Sequence, residues 1–267
     1  MTSLKGRYGP WALLVGGSEG IGDHLARLLA ADGINIVLVA RKADALAETA
    51  ARVRQAFGVE VRTLSLDVGR EDMLERIREV TDGLEVGFLA HNVGGGASFG
   101  AFVDAPLEAV LTPIRANPLA LTRLAHHFGK GMADRGRGAI LVIGSLAGNA
   151  GSYFIAGYSA AKAFNQVLIE ALWAELKPRG VDVLAFPVGS ADTPSRQRSG
   201  VKDDPSLVVA TPEGIARQAL EQLPNGPVYV TPETRAYFEA LCNPARDKAA
   251  ELQRDLLLGM MPNAADA

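Results

Sequence analysis

The feature that most constrains this sequence is a rhythm of short apolar runs and amphipathic stretches, sustained from near residue 11 to about residue 230. Residues Trp11, Ala12, Leu13, Leu14 and Val15 form the first run, which ends in glycines. Behind it, Ile21, Leu25, Leu28 and Leu29 share one helical face while Asp23, Arg27 and Asp32 fall elsewhere, and Gly33 closes the helix. Residues 34–40 are again largely apolar, as a strand buried on both faces would be. Further strands are expected at 59–66, 86–90, 139–144, 181–186 and 228–230. Helices are expected near 42–57, 70–80, 106–131, 156–177 and 212–223. The alternation predicts βαβ units with right-handed crossovers. The expected architecture is therefore α/β and doubly wound: about seven parallel strands with helices on both faces, in a single domain over residues 1–267.

The first break in the rhythm is 188–211, rich in Gly, Ser, Asp, Pro and Arg and without periodicity. A loop of that length after the sixth strand lies at the carboxyl edge, where open α/β sheets bind ligands. Residues 233–260 read as a final helical segment and 263–267 as a tail. Lys and Arg number 27 against 30 Asp and Glu, a formal charge of −3, so no basic footprint points to nucleic acid. Cys242 is the single cysteine, which excludes an intrachain disulfide and argues against a thiolate zinc site. His126 and His127 have no neighbours that complete a ligand set, and no metal is expected. The start of the chain lacks the apolar stretch of a signal peptide, and no run reaches the ~20 apolar residues of a spanning helix. A cytoplasmic protein without a membrane span is the expectation.

Between the first strand and the first helix, Gly16, Gly20 and Gly22 are spaced G-x3-G-x-G. Such a turn needs glycine for tightness, for bare backbone beside a pyrophosphate and for close helix–strand packing. The helix that follows offers unpaired N–H groups and the positive end of its dipole. Gly16, Ser18, Glu19, Gly20, Ile21 and Gly22 are thus candidate dinucleotide contacts. Arg41 and Lys42 follow the second strand, where an NAD site usually carries an acid. Two cations suit a 2′-phosphate instead, so NADP(H) is the expected cofactor; the alternative is a solvated basic pair.

Tyr158 and Lys162 stand four residues apart on one helical face after the fifth strand, and Ser145 ends that strand. A cation near a phenol favours the phenolate and lowers its pKa. Such a tyrosine can protonate a carbonyl receiving hydride, or deprotonate an alcohol. Ser145 would hold the substrate oxygen; a strand-end serine that caps backbone is the bland alternative. Asn117 precedes Pro118, which disfavours helical geometry at Asn117 and frees carbonyls able to hold a water. A kink that serves only packing is the other reading.

Taken in order, the glycine turn, Asp67-Val68, Asn92 and Gly94, Asn117, Ser145, and Tyr158 with Lys162 resemble the short-chain dehydrogenase/reductases. The likeness runs from about residue 11 to 230. It implies a single-domain Rossmann fold, with Tyr158 as acid/base, Lys162 lowering its pKa and holding the nicotinamide ribose, and Ser145 orienting the substrate. It also implies a relay water at Asn117, adenine contacts at Asp67 and Val68, and contacts to the middle of the cofactor at Asn92 and Gly94. By the same resemblance the nicotinamide carboxamide falls to Pro187, Val188 and Thr193, although Thr193 lies one residue later than usual. Family members commonly pair through the long central helix, so a homodimer or homotetramer is implied; Pro106, Pro113 and Pro118 make that helix irregular here. Tyr8-Gly9-Pro10-Trp11 and residues 84–89 are similar to the branch of very-long-chain 3-oxoacyl reductases and hydroxysteroid dehydrogenases, and Tyr-Gly-x-Trp also to bacterial 7β-hydroxysteroid dehydrogenases. A bulky apolar ketone or alcohol is the expected substrate. A 3-oxoacyl thioester reductase and a non-catalytic NADP-binding regulatory protein are the alternatives. Val15 replaces the family's usual Thr, and His91 replaces an Asn, where it either supports the central strands or contacts the cofactor.

Overall fold

A computed structural model describes residues 3–94, 99–199 and 208–260. Six apolar segments form strands: β1 (Trp11–Val15), β2 (Asn35–Ala40), β3 (Val61–Ser65), β4 (Val86–His91), β5 (Gly138–Ser145) and β6 (Val181–Val188). All pair in parallel, in the order β3-β2-β1-β4-β5-β6. The order reverses between β1 and β4, and a crevice opens at such a point beyond the carboxyl ends. Both strands are buried throughout, which explains their unbroken apolar runs. Where the seventh strand was expected, Val228 makes an isolated parallel bridge to Ala185. Pro227 lacks an N–H and Pro232 already starts a helix, so the run is too short to extend the pairing.

Alternate residues of each strand enter different cores. Leu14, Ile36 and Leu38 pack with Leu25 and Leu29 of α2 (Ile21–Ala31), Leu46 and Val53 of α3 (Ala43–Phe57), and Ile215 and Ala219 of α9 (Pro212–Gln222). On the opposite face Leu13, Val37 and Leu89 meet Met73 and Ile77 of α4 (Met73–Thr81), Leu121, Leu124, Phe128 and Met132 of α6 (Ala120–Arg135), and Ile169 of α7 (Ala156–Leu176). A third cluster joins Leu146 and Ala150 to Leu241 and Ala249, on α10 (Pro232–Leu241) and α11 (Arg246–Met260). The segment 233–260 is thus two helices, parted around Pro244.

Two further helices have only five residues each. Within the loop after β6, α8 (Pro194–Arg198) is capped by Thr193, and a bridge between Ala191 and Ala210 closes the loop's base. The middle of that loop, 200–207, and the tail at 263–267 lie outside the described residues. At the other end, α1 (Leu4–Tyr8) is tied to β6: the Tyr8 hydroxyl donates to Asp182 at 2.7 Å and Arg7 pairs with the same carboxylate at 2.8 Å. The two amino-terminal motifs meet there, since a Cβ on Gly87 would fall 2.4 Å from the Tyr8 carbonyl oxygen and Tyr8 packs edge-on against Phe88.

The long central helix is interrupted. After α5 (Leu107–Ile114) the chain makes a π-turn, Arg115–Leu119, before α6 begins. Pro113 and Pro118 remove two main-chain donors in this stretch.

Candidate active site

The glycine turn is built by close approach of backbones. A Cβ on Gly16 would lie 2.2 Å from the Asn92 carbonyl oxygen, and one on Gly22 would lie 2.0 Å from that of Gly16. Asn92 reinforces the contact, its side-chain amide donating to the Gly16 oxygen at 2.9 Å. Gly20 caps α2 at φ 56°, a left-handed value that penalises other residues. Ile21 and Ser18 are buried, and the Ser18 carbonyl accepts from Thr49 at 3.1 Å. The result is a bare, rigid turn against a helix N-terminus, a cradle that fits a pyrophosphate.

Around this turn stand most of the other expected cofactor contacts. Arg41 and Lys42 are exposed after β2, with Lys42 leading into α3 and its ammonium 3.4 Å from Glu19. Glu19 also meets both guanidinium nitrogens of Arg198, one at 3.1 Å. Partial burial pushes the Glu19 carboxyl up, but Arg198 and Lys42 outweigh it and hold it below the usual carboxylate range. Val68 is buried, whereas Asp67 is exposed and accepts from the Gly69 N–H at 2.9 Å. Gly94 has open space where a Cβ would be, so no steric demand explains it. Thr193 comes to the turn: its methyl would sit 3.1 Å from a Cβ on Gly20. Pro187 and Val188 end β6, in register with Gly144 and Ser145.

Ser145, Tyr158 and Lys162 converge at the carboxyl end of β5. The Ser145 hydroxyl accepts from the Ala147 N–H at 3.3 Å and faces the Tyr158 hydroxyl. Burial raises the Tyr158 phenol above its ordinary value, and the Ser145 hydrogen bond pulls it down. The Lys162 Nζ stands 5.7 Å from the ring centroid of Tyr158 and donates to the carbonyls of Val93 (2.8 Å) and Ile143 (3.4 Å). Burial pulls the Lys162 ammonium down to about 8.

Asn117 lies fully buried in the π-turn. Its amide donates to the Pro113 carbonyl at 3.2 Å and its oxygen accepts from Asn165 at 3.4 Å, so its side chain mends the interrupted helix. His91 is buried beside Asn117, the Ala116 backbone and Lys162, yet neither ring nitrogen reaches a hydrogen bond of ordinary geometry. Burial first, then the Lys162 charge, pulls its pKa down to about 3, so the ring is neutral. An apolar recess with Phe102, Val110, Pro113, Phe154 and Ile155 in its wall runs beside Tyr158. Among the described residues no cluster of three His, Cys, Asp or Glu side chains is placed to hold a metal, and no helix is long and apolar enough to cross a membrane.

Parallel sheet, glycine turn and a Ser, Tyr and Lys trio at one edge describe a nucleotide-binding oxidoreductase of a known kind. Residues 10–204 match the short chain dehydrogenase family, and the chain belongs to it. It is 32% identical to the 7beta-hydroxysteroid dehydrogenase of Collinsella aerofaciens over 225 residues, covering 83% of this chain and 85% of that one. It is 34% identical over 231 residues to the very-long-chain 3-oxoacyl-CoA reductase of Coprinopsis cinerea, covering 83% of this chain and 66% of that one. A solved 7beta-hydroxysteroid dehydrogenase superposes with a TM-score of 0.87 at 28% identity, over 94% of this chain and 99% of the other. A short-chain dehydrogenase from Sphingobium yanoikuyae in complex with NADPH superposes with a TM-score of 0.77 at 33% identity, over 87% and 92%.

The sequence reading missed two residues, Arg198 beside the glycine turn and Gln253 behind Ser145. Glu19 was assigned to the cofactor but not to Arg198, and no local pattern announces a pair 179 residues apart. Gln253 was hidden in a segment read only as helix.

Proposed function

We propose that this short-chain oxidoreductase uses NADP(H) to interconvert a ketone and a secondary alcohol on a bulky, apolar substrate. The observation that carries this reading is the meeting of Ser145, Tyr158 and Lys162 at the sheet's carboxyl edge. A bound dinucleotide supplies or accepts hydride at the substrate carbon. The turn 16–22 holds its pyrophosphate, Arg41 and Lys42 its 2′-phosphate, and Asp67 and Val68 flank its adenine. Asn92 and Gly94 line its middle, and Pro187, Val188 and Thr193 lie toward the carboxamide.

The chain's own part is to handle the proton. Because the Ala147 N–H donates to the Ser145 oxygen, the Ser145 proton is free to point at a carbonyl. Tyr158, raised by burial, stays protonated at neutral pH and gives its proton to that oxygen; in the reverse direction the phenolate takes it back. Lys162 carries charge at pH 7 and compensates the phenolate as it forms. A relay water is assigned to Asn117, in the stretch where Pro113 and Pro118 leave main-chain carbonyls without their helical donors. Exposed Phe102 and Val103 before α5, with Val208 and Val209 after β6, favour a large apolar substrate. Similarity to the 7beta-hydroxysteroid dehydrogenases supports the same choice, while the 3-oxoacyl-CoA reductases support a thioester alternative. Exposed Leu107, Leu119, Phe164 and Val167 on the central helices support a homodimer or homotetramer.

The test is NADPH depletion across steroid ketones, aromatic ketones and 3-oxoacyl esters. With the best substrate, Tyr158→Phe should lose about a thousandfold in turnover while NADPH binding, followed by fluorescence, persists. Unchanged turnover would overturn the mechanism, and turnover of thioesters alone would overturn the substrate class.

A further inference from the structure

Immediately after Ser145 the chain makes a 3-10 turn, Leu146–Gly148, on which several remote segments converge. A Cβ on Gly148 would lie 2.8 Å from the Lys162 carbonyl carbon, so the turn rests on the backbone of α7. The Leu146 carbonyl accepts from the Asn149 N–H (3.1 Å), the Asn149 side chain (3.3 Å) and Gln253 Nε2 (3.2 Å). Gln253 sits on α11, only 3% exposed, and its other amide atom accepts from the Tyr237 hydroxyl at 3.3 Å. Arg246, also on α11, donates to the carbonyls of Asn149 and Leu241 at 2.9 Å each.

A glutamine in this setting needs a reason. The surrounding cluster is Leu146, Ala150, Leu241 and Ala249 with Tyr237 and Phe238, which a leucine would fill. Burying an amide is costly unless both of its ends are bonded. Here both ends are bonded, one of them to the residue that follows Ser145. We propose that Gln253 is a positioning residue, holding the 146–148 turn from the carboxyl-terminal helix so that the Ser145 hydroxyl stays aimed at Tyr158. The inference rests on the catalytic reading of that trio and assigns α11 a part in it. The geometry supplies the route: Gln253 fixes Leu146, the Ala147 N–H of the same turn donates to the Ser145 hydroxyl, and Ser145 meets the phenol that it acidifies.

The experiment follows the Tyr158 phenol by carbon-13 NMR of ring-labelled tyrosine, its signal assigned with Tyr158→Phe. Among the described residues two polar groups face that phenol, Ser145 from the end of β5 and Lys162 from α7. Ser145→Ala and Gln253→Leu should each move the titration upward, and the double variant no further than Ser145→Ala. In ketone reduction Gln253→Leu should lower kcat about tenfold, the loss of roughly one oriented hydrogen bond, with KM for NADPH unchanged. In the Ser145→Ala background the same change should cost nothing more. A wild-type titration in Gln253→Leu, or an equal loss in both backgrounds, overturns the proposal. Should Gln253→Leu fail to fold, Tyr237→Phe removes only the partner of Oε1 and should shift the phenol the same way by less; no shift overturns the proposal. A wild-type chain that reduces no ketone defeats the functional reading instead, and the phenol titration still decides the role of Gln253.

Discussion

The glycine turn and the region beyond β6 border the same crevice but are held by different means. At the turn, main chain touches main chain: Gly16 against the Asn92 carbonyl, Gly22 against Gly16, with no room for a Cβ. Beyond β6, α8 has five residues and reaches the turn through the exposed Arg198–Glu19 pair and the Thr193 methyl over Gly20. The first contact is steric and does not depend on solvent, whereas the second is made by side chains that water and salt weaken.

The largest effect should come from crowding the turn. Gly22→Val puts carbon into the Gly16 backbone and should cost ~3 kcal/mol or more in denaturant unfolding and abolish NADPH binding. Gly94→Ala, with open space, should bind NADPH like the wild type; equal damage from both would erase the steric account of the turn. Next comes His91, whose pKa falls from 6.5 to about 3 in the folded chain. Below pH 6.5 the unfolded chain takes up a proton that the folded chain refuses, so stability is lost as pH falls from 6.5 toward 3. Comparing wild type with His91→Asn isolates that slope, expected at about 1.4 kcal/mol per pH unit. Parallel pH profiles would place the ring elsewhere than in the core. Arg41→Asp should weaken NADPH about tenfold and leave NADH nearly untouched, as expected for loss of one charge-assisted phosphate contact. An unchanged ratio of the two affinities removes Arg41 from the phosphate site. Glu19→Gln should have the smallest effect, under ~1 kcal/mol on stability, because its partners are exposed. Its trace should be faster proteolysis of the loop after β6; identical cleavage rates would show that the ion pair does not hold α8.

The same contrast explains what could be read from the sequence. Strands β1 to β6, the turn at Gly16–Gly22 and the Tyr158–Lys162 spacing are written in local patterns: apolar runs, glycine intervals and a helical period of four. The convergence of Ser145 with Tyr158 follows from connectivity, because Ser145 ends β5 and Tyr158 lies in the first turn of α7, the next long helix in the chain. Helices α1 and α8, of five residues each, are too short to show a period. Partnerships such as Glu19 with Arg198, or Gln253 with Leu146, join residues far apart in the chain and leave no local trace. The Tyr158–Lys162 spacing gives proximity along a helix but not where the ammonium ends. Its reach to the carbonyls of Val93 and Ile143 is a tertiary fact.

The wide turn between α5 and α6 acts on more than Asn117. An extra residue inserted into an α-helix advances everything after it by about 100° around the axis. Leu121, Leu124, Phe128 and Met132 meet β4 and β5 only in that advanced phase. Straightening the helix would swing this whole apolar edge away from the sheet, so Pro113, Asn117 and Pro118 work as a gear setting for α6, and a drift at any one of them would be felt in the core before it was felt in the chemistry.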